Sequence, residues 1–122
     1  NIMTEPGETE GFTVSDHLRA IIEHGGRDLV DAVLAAKEEI PRRVLERYLA
    51  EGADVVRSDR AAVEELGVNY FEGTFYTGGD VVRHNPELLA KELLRILFRL
   101  KPVSERIAVV DSYLLNRKLK EL

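Results

Sequence analysis

The chain has 122 residues, of which 44% are hydrophobic, and a formal net charge of -5, which suits one domain that buries about two-thirds of its unfolded surface. Acidic and basic residues are intermingled without a basic stripe, which argues against a nucleic-acid-binding protein. There is no cysteine, no apolar run near about 18 residues and no export leader, so the sequence predicts neither disulfides nor membrane insertion, and the cytoplasm is the expected location.

Residues 1–16 are polar and rich in turn signals. Pro6-Gly7 is a turn dipeptide, and Thr13 stands three residues before Asp16, as in the capping box that begins a helix. A helix N-terminus carries about half a positive charge and up to four unpaired N–H groups, so it can bind phosphate or carboxylate. A solvated connection that only caps a helix explains the same residues, and both interpretations stay open.

Apolar residues at helical spacing predict a first helix that stops at Gly25-Gly26; they are Val14, Leu18, Ile21 and Ile22. His17 and His24 are seven positions apart on a less apolar face, whereas metal pairs on helices usually stand four apart, so exposure to solvent or to a cleft is favoured over metal binding. His17 lies in the first turn, where its imidazole could donate to a bound phosphate.

The middle of the chain alternates strand and helix patterns. The apolar run at residues 29–36 predicts a buried parallel strand, in which Asp31 would be a structural hydrogen-bond acceptor or, alternatively, a catalytic base. A second helix is expected from Pro41 to Gly52, and a brief strand at residues 54–57. Ser58 or Asp59 would cap a third helix. A further strand at residues 68–76 would have Gly73 as a bulge.

Three strands alternating with helices predict an α/β fold with a parallel sheet flanked by helices in a Rossmann-like, three-layer arrangement. Ligands of such sheets bind beyond the carboxyl ends of the strands, where the loop of residues 78–85 (the 78–85 loop) is expected. In this loop Arg83 and His84 offer donors suited to phosphate, although Arg83 could instead pair with Glu87 at the surface.

Asn85 and Pro86 are expected to cap and open a fourth helix, which runs to Leu100 and is apolar enough to pack on two faces. Residues 103–122 predict a C-terminal helix, with a short strand at residues 107–110 as the alternative. All these elements are assigned to a single domain over residues 1–122.

Residues 1–9, Asn-Ile-Met-Thr-Glu-Pro-Gly-Glu-Thr, resemble the signature of the gluconeogenesis factor family of YvcK-type, UDP-N-acetylglucosamine-binding proteins, related in fold to CofD phospholactate transferases. The similarity continues through residues 14–17, 22–24, 30–34, 48–56 and 82–85. It implies the C-terminal portion of a larger CofD-like unit, because the chain lacks an initiator Met and the family's glycine-rich phosphate loop. Asn85 and Pro86 depart from the family, which often has Asp and a hydroxyl residue there.

The resemblance implies a ligand site for a UDP-sugar or another nucleotide, formed by Asn1, Thr4, Gly7, Glu8, Thr9, His17, Arg83 and His84. It also implies one partner, the missing N-terminal half of the same protein. A homo-oligomer is a further partner that the sequence leaves open. The expected role is binding in the regulation of carbon metabolism and cell shape, without a certain cofactor. A CofD-like transferase is the alternative, in which Mg2+ would be held by carboxylates among Glu8, Glu10 and Asp16.

Overall fold

The computed structural model describes residues 1–101 together with Asp111, Ser112, Leu114, Asn116 and Arg117. Contacts divide the chain into two compact units, Asn1–Leu88 and Leu89–Leu122. The elements, in chain order, are α1 (Val14–Gly25), a 3-10 turn (Arg27–Leu29), β1 (Ala32–Ala36), α2 (Arg42–Ala50), α3 (Arg60–Glu65), β2 (Asn69–Gly73) and α4 (Pro86–Leu100). Since β1 and β2 form a parallel sheet among helices, the predicted α/β class is confirmed.

The first helix begins where the sequence predicts. Thr13 is its N-cap: the Thr13 amide donates to Asp16 Oδ2 at 3.0 Å, and the Asp16 amide donates to Thr13 Oγ1 at 3.3 Å. This reciprocal pair confirms the capping box. Leu18 is 1% exposed, whereas Ile21 on the same side of α1 is 47% exposed, so the apolar face of the helix is only partly covered in this unit.

Both strands are shorter than their predictions. β1 begins at Ala32, because residues Arg27–Leu29 form a 3-10 turn before it. Asp31 accepts hydrogen bonds from the Asn69 amide at 3.2 Å and from its Nδ2 at 3.1 Å, but through its backbone carbonyl and not through the predicted carboxylate. Gly73 pairs in register with Ala36, so the predicted bulge there is wrong.

Gly73 has a different physical role, which is to leave room for an aromatic ring. A Cβ atom at this position would collide with the ring of Phe75, which is 2% exposed. The chain therefore leaves β2 by folding the Phe75 side chain back over the end of the strand. That turn determines where the following loop begins.

The core of the first unit lies between the sheet and two helices. Its buried members are Leu18 of α1, Val63 of α3, Val68, and Ala35 and Tyr70 of the two strands. Partly buried neighbours extend it, namely Val14, Ile22, Val30, Val33 and Leu66. Burial of one α1 face and one α3 face against β1 and β2 thus fixes the N-terminal end of α1 relative to the sheet.

Residues 54–57 were predicted to be a strand but make only two isolated bridges. Val55 pairs antiparallel with Met3, and Arg57 pairs parallel with Thr13. The segment pairs at one residue with the start of the chain and at another with the residue before α1. Because each pairing involves a single residue, the segment does not extend the sheet. Asp59 follows it at the N-cap position of α3, although its side chain does not cap that helix.

The start of α4 is as predicted, since Asn85 Oδ1 accepts from the amides of Glu87 at 3.0 Å and Leu88 at 3.1 Å, and Pro86 is the first helical residue. In the second unit Ile96 is buried, but Leu93 and Leu94 are each 50% exposed. The expected packing of α4 on two faces is therefore not found among the described residues. The predicted C-terminal helix falls mostly outside them, although the five described residues beyond Lys101 are helical. Within the described part of the chain, no helix combines the length and apolar character needed to cross a bilayer.

Candidate functional site

A cleft of about 330 Å³ lies between α1 and β1. Three of the predicted ligand residues line it, namely Asn1, His17 and His84. The rest of its wall is apolar and comes from α1, from all five residues of β1, and from Val30 and Val56. The cleft thus has polar groups together with a long hydrophobic wall, and it is at the small end of the volumes typical of small-molecule sites.

The N-terminus of α1 is not available to an anion. The first four amides of the helix all donate to protein acceptors, which are the Arg57 carbonyl, the Asp59 carboxylate, and the hydroxyl and carbonyl of Thr13. The N···O distances in chain order are 3.0, 2.9, 3.3 and 3.3 Å. The interpretation of these amides as a phosphate seat is therefore wrong, and the alternative of a structural cap is correct.

Two carboxylates already occupy that helix end. Burial would raise the pKa of Asp59, but hydrogen bonds from the Ser15 hydroxyl, from Thr13 and from the Ser15 amide outweigh it and hold this pKa below its ordinary value. The pKa of Asp16 is also lowered, first by the hydrogen bond from the Thr13 amide. Both groups are thus kept ionised beside the positive end of the helix dipole, where they serve as its fixed anions.

The N-terminal loop, residues 1–13, satisfies its own polar groups. Thr9 Oγ1 accepts from the Glu5 amide at 2.8 Å, and the Gly7 amide donates to Glu10 Oε1 at 3.1 Å. Thr4 is 5% exposed and its Oγ1 accepts from the Asp54 amide at 2.9 Å. Of the predicted ligand residues in this loop, Thr4, Gly7, Glu8 and Thr9 do not line the cleft. Their role in binding stays a prediction.

His17 is placed differently. Its Nδ1 lies 2.8 Å from the Thr13 carbonyl oxygen, which can only accept, so Nδ1 carries the proton. Its Nε2 is buried without a hydrogen-bond partner in the described residues, while the ring meets Phe12 edge to face at 5.2 Å. In the neutral ring Nε2 is therefore an acceptor for a ligand hydroxyl or N–H, and it becomes the expected phosphate donor only when the ring is protonated.

His24 does not join His17 in a metal pair. Its Nδ1 lies 2.7 Å from the Ala20 carbonyl oxygen on the exposed side of α1. Across the described residues, no group of three or more His, Asp or Glu side chains could hold a metal ion. Two of the three predicted Mg2+ carboxylates make other contacts, since Glu10 accepts from Gly7 and Asp16 caps α1.

The 78–85 loop is closed at its base. The carboxylate of Glu38, just after β1, accepts hydrogen bonds from the Phe75 amide and, at 3.0 Å, from the Tyr76 amide. The Asn85 amide donates to the Phe75 carbonyl at 2.6 Å, which brings the two ends of the loop together. Glu38 therefore links the carboxyl ends of β1 and β2, where α/β proteins place their ligands. The sequence did not lead us to predict a role for Glu38, although its position directly after a predicted strand was a signal that could have identified it.

The body of this loop is held by α2. Tyr48 Oη accepts from the Val82 amide at 2.9 Å, and Arg43 pairs with Asp80 at 2.9 Å. The ion pair is exposed on both sides, so it contributes little by itself. The Tyr48 bond is more informative because it fixes the backbone immediately before Arg83. Neither contact was predicted, since both join residues more than 30 positions apart.

Arg83 and His84 line a second cavity, of about 400 Å³, formed by residues 77–81 and 83–86. Arg83 is exposed, and among the described residues it makes no ion pair, so the alternative pairing with Glu87 is absent there. His84 lines both this cavity and the cleft. The structure thus brings Arg83, His84, His17 and Asn1 to two adjoining concave surfaces.

His84 is held in a partly buried position against Phe75, with ring centroids 6.0 Å apart. Burial lowers the pKa of His84, and the carboxylate of Glu38 opposes this shift. The imidazole is therefore biased toward its neutral form. An anion bound beside it would shift this balance toward the charged donor.

Comparison with known proteins places this chain in a family. The family described as 2-phospho-L-lactate transferase CofD matches residues 1–76. A Clostridium acetobutylicum protein provisionally named gluconeogenesis factor is 34% identical over 122 residues, covering 99% of this chain and 27% of that protein. The gluconeogenesis factor of Bacillus subtilis is 39% identical over 59 residues, covering 48% of this chain and 19% of that protein.

A solved structure supports the same grouping. The crystal structure of a UPF0052 family protein from Bacillus halodurans superposes with a TM-score of 0.74 at 39% identity, covering 77% of this chain and 30% of that one. The chain therefore spans less than a third of the length of these relatives.

Proposed function

The chain belongs to the family described as 2-phospho-L-lactate transferase CofD, its relatives include gluconeogenesis factors, and we propose that it is the C-terminal part of a nucleotide-sugar-binding protein. The proposed ligand is UDP-N-acetylglucosamine, and the proposed role is regulation of carbon metabolism and cell shape in the cytoplasm. The remainder of the protein is proposed to complete the site.

The observation that carries this proposal is the arrangement of Arg83 and His84. Arg83 extends from a loop whose backbone is fixed on either side, and no acidic side chain of the described residues pairs with it. A guanidinium offers a planar fork of N–H donors that matches two phosphate oxygens at once. An unpaired arginine in a cavity at the carboxyl ends of parallel strands therefore suits the diphosphate of a nucleotide sugar.

Three further groups suit the uncharged part of such a ligand. In its neutral form the His17 ring presents Nε2 as an acceptor, and a sugar hydroxyl or the amide of an N-acetyl group is a fitting donor for it. His84 can act as donor or acceptor between the two cavities. Asn1 is a further polar residue that lines the same cleft. A ligand bound here would meet one permanent positive charge and several neutral polar groups.

Calorimetric titration of UDP-N-acetylglucosamine tests this proposal in the whole protein, meaning the full-length chain that corresponds to the relatives. Loss of hydrogen bonds to a charged group costs about 1.5 to 3 kcal/mol, so Arg83→Ala should raise Kd by roughly 10- to 100-fold. The matched control is Arg27→Ala, which removes the same charge from an exposed position outside both cavities. Equal binding by the two variants would remove Arg83 from the ligand site.

The second candidate is a nucleotide-dependent transferase, which the description of the matching family favours. Such an enzyme would need charge neutralisation at the leaving phosphate, and Arg83 could supply it. Incubating the whole protein with nucleotide donors and Mg2+, followed by chromatography of the products, separates the two candidates. Release of UMP or another nucleoside phosphate would establish cleavage of the donor, with the released group passing to water or, when an alcohol acceptor is added, to its hydroxyl oxygen, whereas recovery of intact nucleotide sugar with the acceptor present and at saturating ligand supports binding alone.

A further inference from the structure

The side-chain amide of Asn85, at the junction of the 78–85 loop and α4, is only half satisfied. Its Oδ1 accepts from the Glu87 amide at 3.0 Å and from the Leu88 amide at 3.1 Å. The backbone amide of Asn85 donates to the Phe75 carbonyl at 2.6 Å. Its Nδ2 group, which carries two N–H donors, has no acceptor among the described residues. The side chain therefore caps α4 with its oxygen and keeps its nitrogen available.

The contacts of Asn85 also determine which way its amide group is turned. Backbone N–H groups can only donate, so the atom that lies 3.0 and 3.1 Å from two of them is the oxygen and not the nitrogen. These two hydrogen bonds hold the side chain in one orientation, so Nδ2 is positioned before any ligand binds. They also polarise the amide, which makes the N–H groups of Nδ2 stronger donors.

Asn85 is partly buried and lines the second cavity together with Arg83 and His84. Since its oxygen and its backbone amide are engaged, Nδ2 is the polar group that its side chain can offer there. Of the described residues that line this cavity, one is acidic, Asp80, and its carboxylate pairs with Arg43 at 2.9 Å. Arg83 thus supplies one permanent positive charge, and Asn85 supplies two N–H donors without a charge.

We propose that Asn85 Nδ2 donates to the diphosphate of the ligand in the second cavity, beside the guanidinium of Arg83. This inference rests on the proposed function and adds a binding residue to its site. The ligand atom that Nδ2 meets must be an acceptor, as a phosphate oxygen is, and a group that can only donate is excluded. The amides of Glu87 and Leu88 are already bound to Oδ1, so the donor is the side chain and not the end of α4.

Substitutions that keep the cap of α4 but change the group facing the cavity test this inference. Ser and Asp cap helices about as well as Asn, so Asn85→Ser and Asn85→Asp should leave the denaturation midpoint of the whole protein nearly unchanged. Asn85→Ser removes the Nδ2 donor, and calorimetry should show a Kd for UDP-N-acetylglucosamine that is about 3- to 10-fold higher. Asn85→Asp also places a carboxylate beside the phosphates, so its Kd should rise at least about 30-fold.

Ionic strength separates the loss of the donor from the added charge. The excess effect of Asn85→Asp over Asn85→Ser should shrink between about 0.05 and 0.5 M salt, because salt screens charges that solvent can reach. The matched control is Asn116→Asp, which adds the same charge at an exposed position that lines neither cavity and should bind like wild type. If both Asn85 variants bind within about twofold of wild type, Asn85 only caps α4 and the inference is wrong.

Inorganic pyrophosphate is a second probe, which separates a failure of this inference from a failure of the proposed function. Wild-type binding of UDP-N-acetylglucosamine that does not respond to the Asn85 substitutions overturns the inference and leaves the proposed function standing. Binding of pyrophosphate without binding of the nucleotide sugar overturns the proposed ligand, while a weaker affinity of both Asn85 variants for pyrophosphate still supports Asn85 as a phosphate donor. Binding of neither probe overturns both.

Discussion

The N-terminal loop and the 78–85 loop look alike in sequence but differ in where their hydrogen bonds go. Both contain glycines with positive φ, at Gly7 (80°) and Gly79 (99°), and both lead into a capped helix. In the N-terminal loop, hydroxyl and amide groups form hydrogen bonds with other residues of the loop and with the neighbouring segment 54–57. The 78–85 loop is held at its backbone by Glu38 and Tyr48, which leaves the side chain of Arg83 free to bind.

The comparison teaches that polarity and helix ends do not by themselves identify a ligand loop. The deciding property is whether the donors are already paired inside the protein. At the start of α1 every available amide has an acceptor, so the positive end of the helix stabilises the fold. The substitutions below test this division between a structural loop and a binding loop.

The largest expected effect is at Asp59. Asp59→Ala removes the carboxylate that accepts from the Ser15 amide at 2.9 Å and from its hydroxyl. Because the bond is to a charged group at a helix N-terminus, we expect the free energy of unfolding in urea at pH 7 to fall by about 2 kcal/mol. Asp28→Ala is the matched control, since Asp28 is exposed and does not cap α1. A loss equal to that of the control would show that Asp59 does not stabilise α1.

Acidification provides an independent measurement of the same contact. The pKa of Asp59 is lowered in the folded protein, so its stabilising contribution is present above the unfolded pKa of about 3.9 and is lost as the pH falls through the lower folded value. The difference in unfolding free energy between wild type and Asp59→Ala should therefore stay constant near neutral pH and shrink in acid. A difference that grows on acidification would contradict the direction of this pKa shift.

Local elements of the fold were predictable, and long-range contacts were not. The capping box of α1 and the Asn85 cap of α4 follow from residues within four positions of one another, and both are confirmed. The residues 1–9 also carried enough of the family's sequence to indicate its fold. In contrast, Ser58 or Asp59 was predicted to cap α3, but α3 has no side-chain cap and Asp59 binds α1. The carboxylate can reach either helix, and only tertiary packing selects one.

In the candidate site, too, some residues could be predicted from the sequence and others could not. Arg83 and His84 could be found because the ligand end of a parallel sheet follows from strand order alone. Glu38 and Tyr48, which hold that loop, could not be given their partners, because each bond spans more than 30 residues. The prediction of a strand at residues 54–57 was wrong for a related reason. The sequence pattern indicates an extended backbone, but a β-strand also requires another strand that pairs with it along the whole segment.

A smaller effect is expected from alanine at a single glycine in each loop. Gly7 and Gly79 have positive φ, and an added Cβ at either position would meet nothing within 4 Å. The cost is therefore a backbone penalty of roughly 1 kcal/mol for both Gly7→Ala and Gly79→Ala. Only Gly79 lines a proposed ligand cavity, so calorimetry should show weaker UDP-N-acetylglucosamine binding for Gly79→Ala alone. Equal weakening by Gly7→Ala would return the N-terminal loop to the ligand site.

The smallest effect is a change in proton affinity at His84, produced by Glu38→Gln. The amide oxygen of Gln can still accept from the Phe75 and Tyr76 amides, so the base of the 78–85 loop keeps its hydrogen bonds while one negative charge is lost. Glu38 is the group that opposes the lowering of the His84 pKa by burial, so this pKa should fall further in the variant. Ring-proton NMR titration measures it directly, with His24 on the exposed face of α1 as the internal reference.

Glu39→Gln removes the same charge from the next, exposed residue and should leave the His84 titration unchanged. The linked stability change has a definite sign. Because the folded pKa of His84 lies below its ordinary value of 6.5, folding disfavours the proton, and stability is lost as the pH falls from about 6.5 through the folded pKa. Glu38→Gln should widen that pH interval at its acidic end. A His84 pKa that does not fall in Glu38→Gln would mean that this carboxylate does not act on the imidazole, and Glu38 would then hold the loop without affecting the His84 pKa.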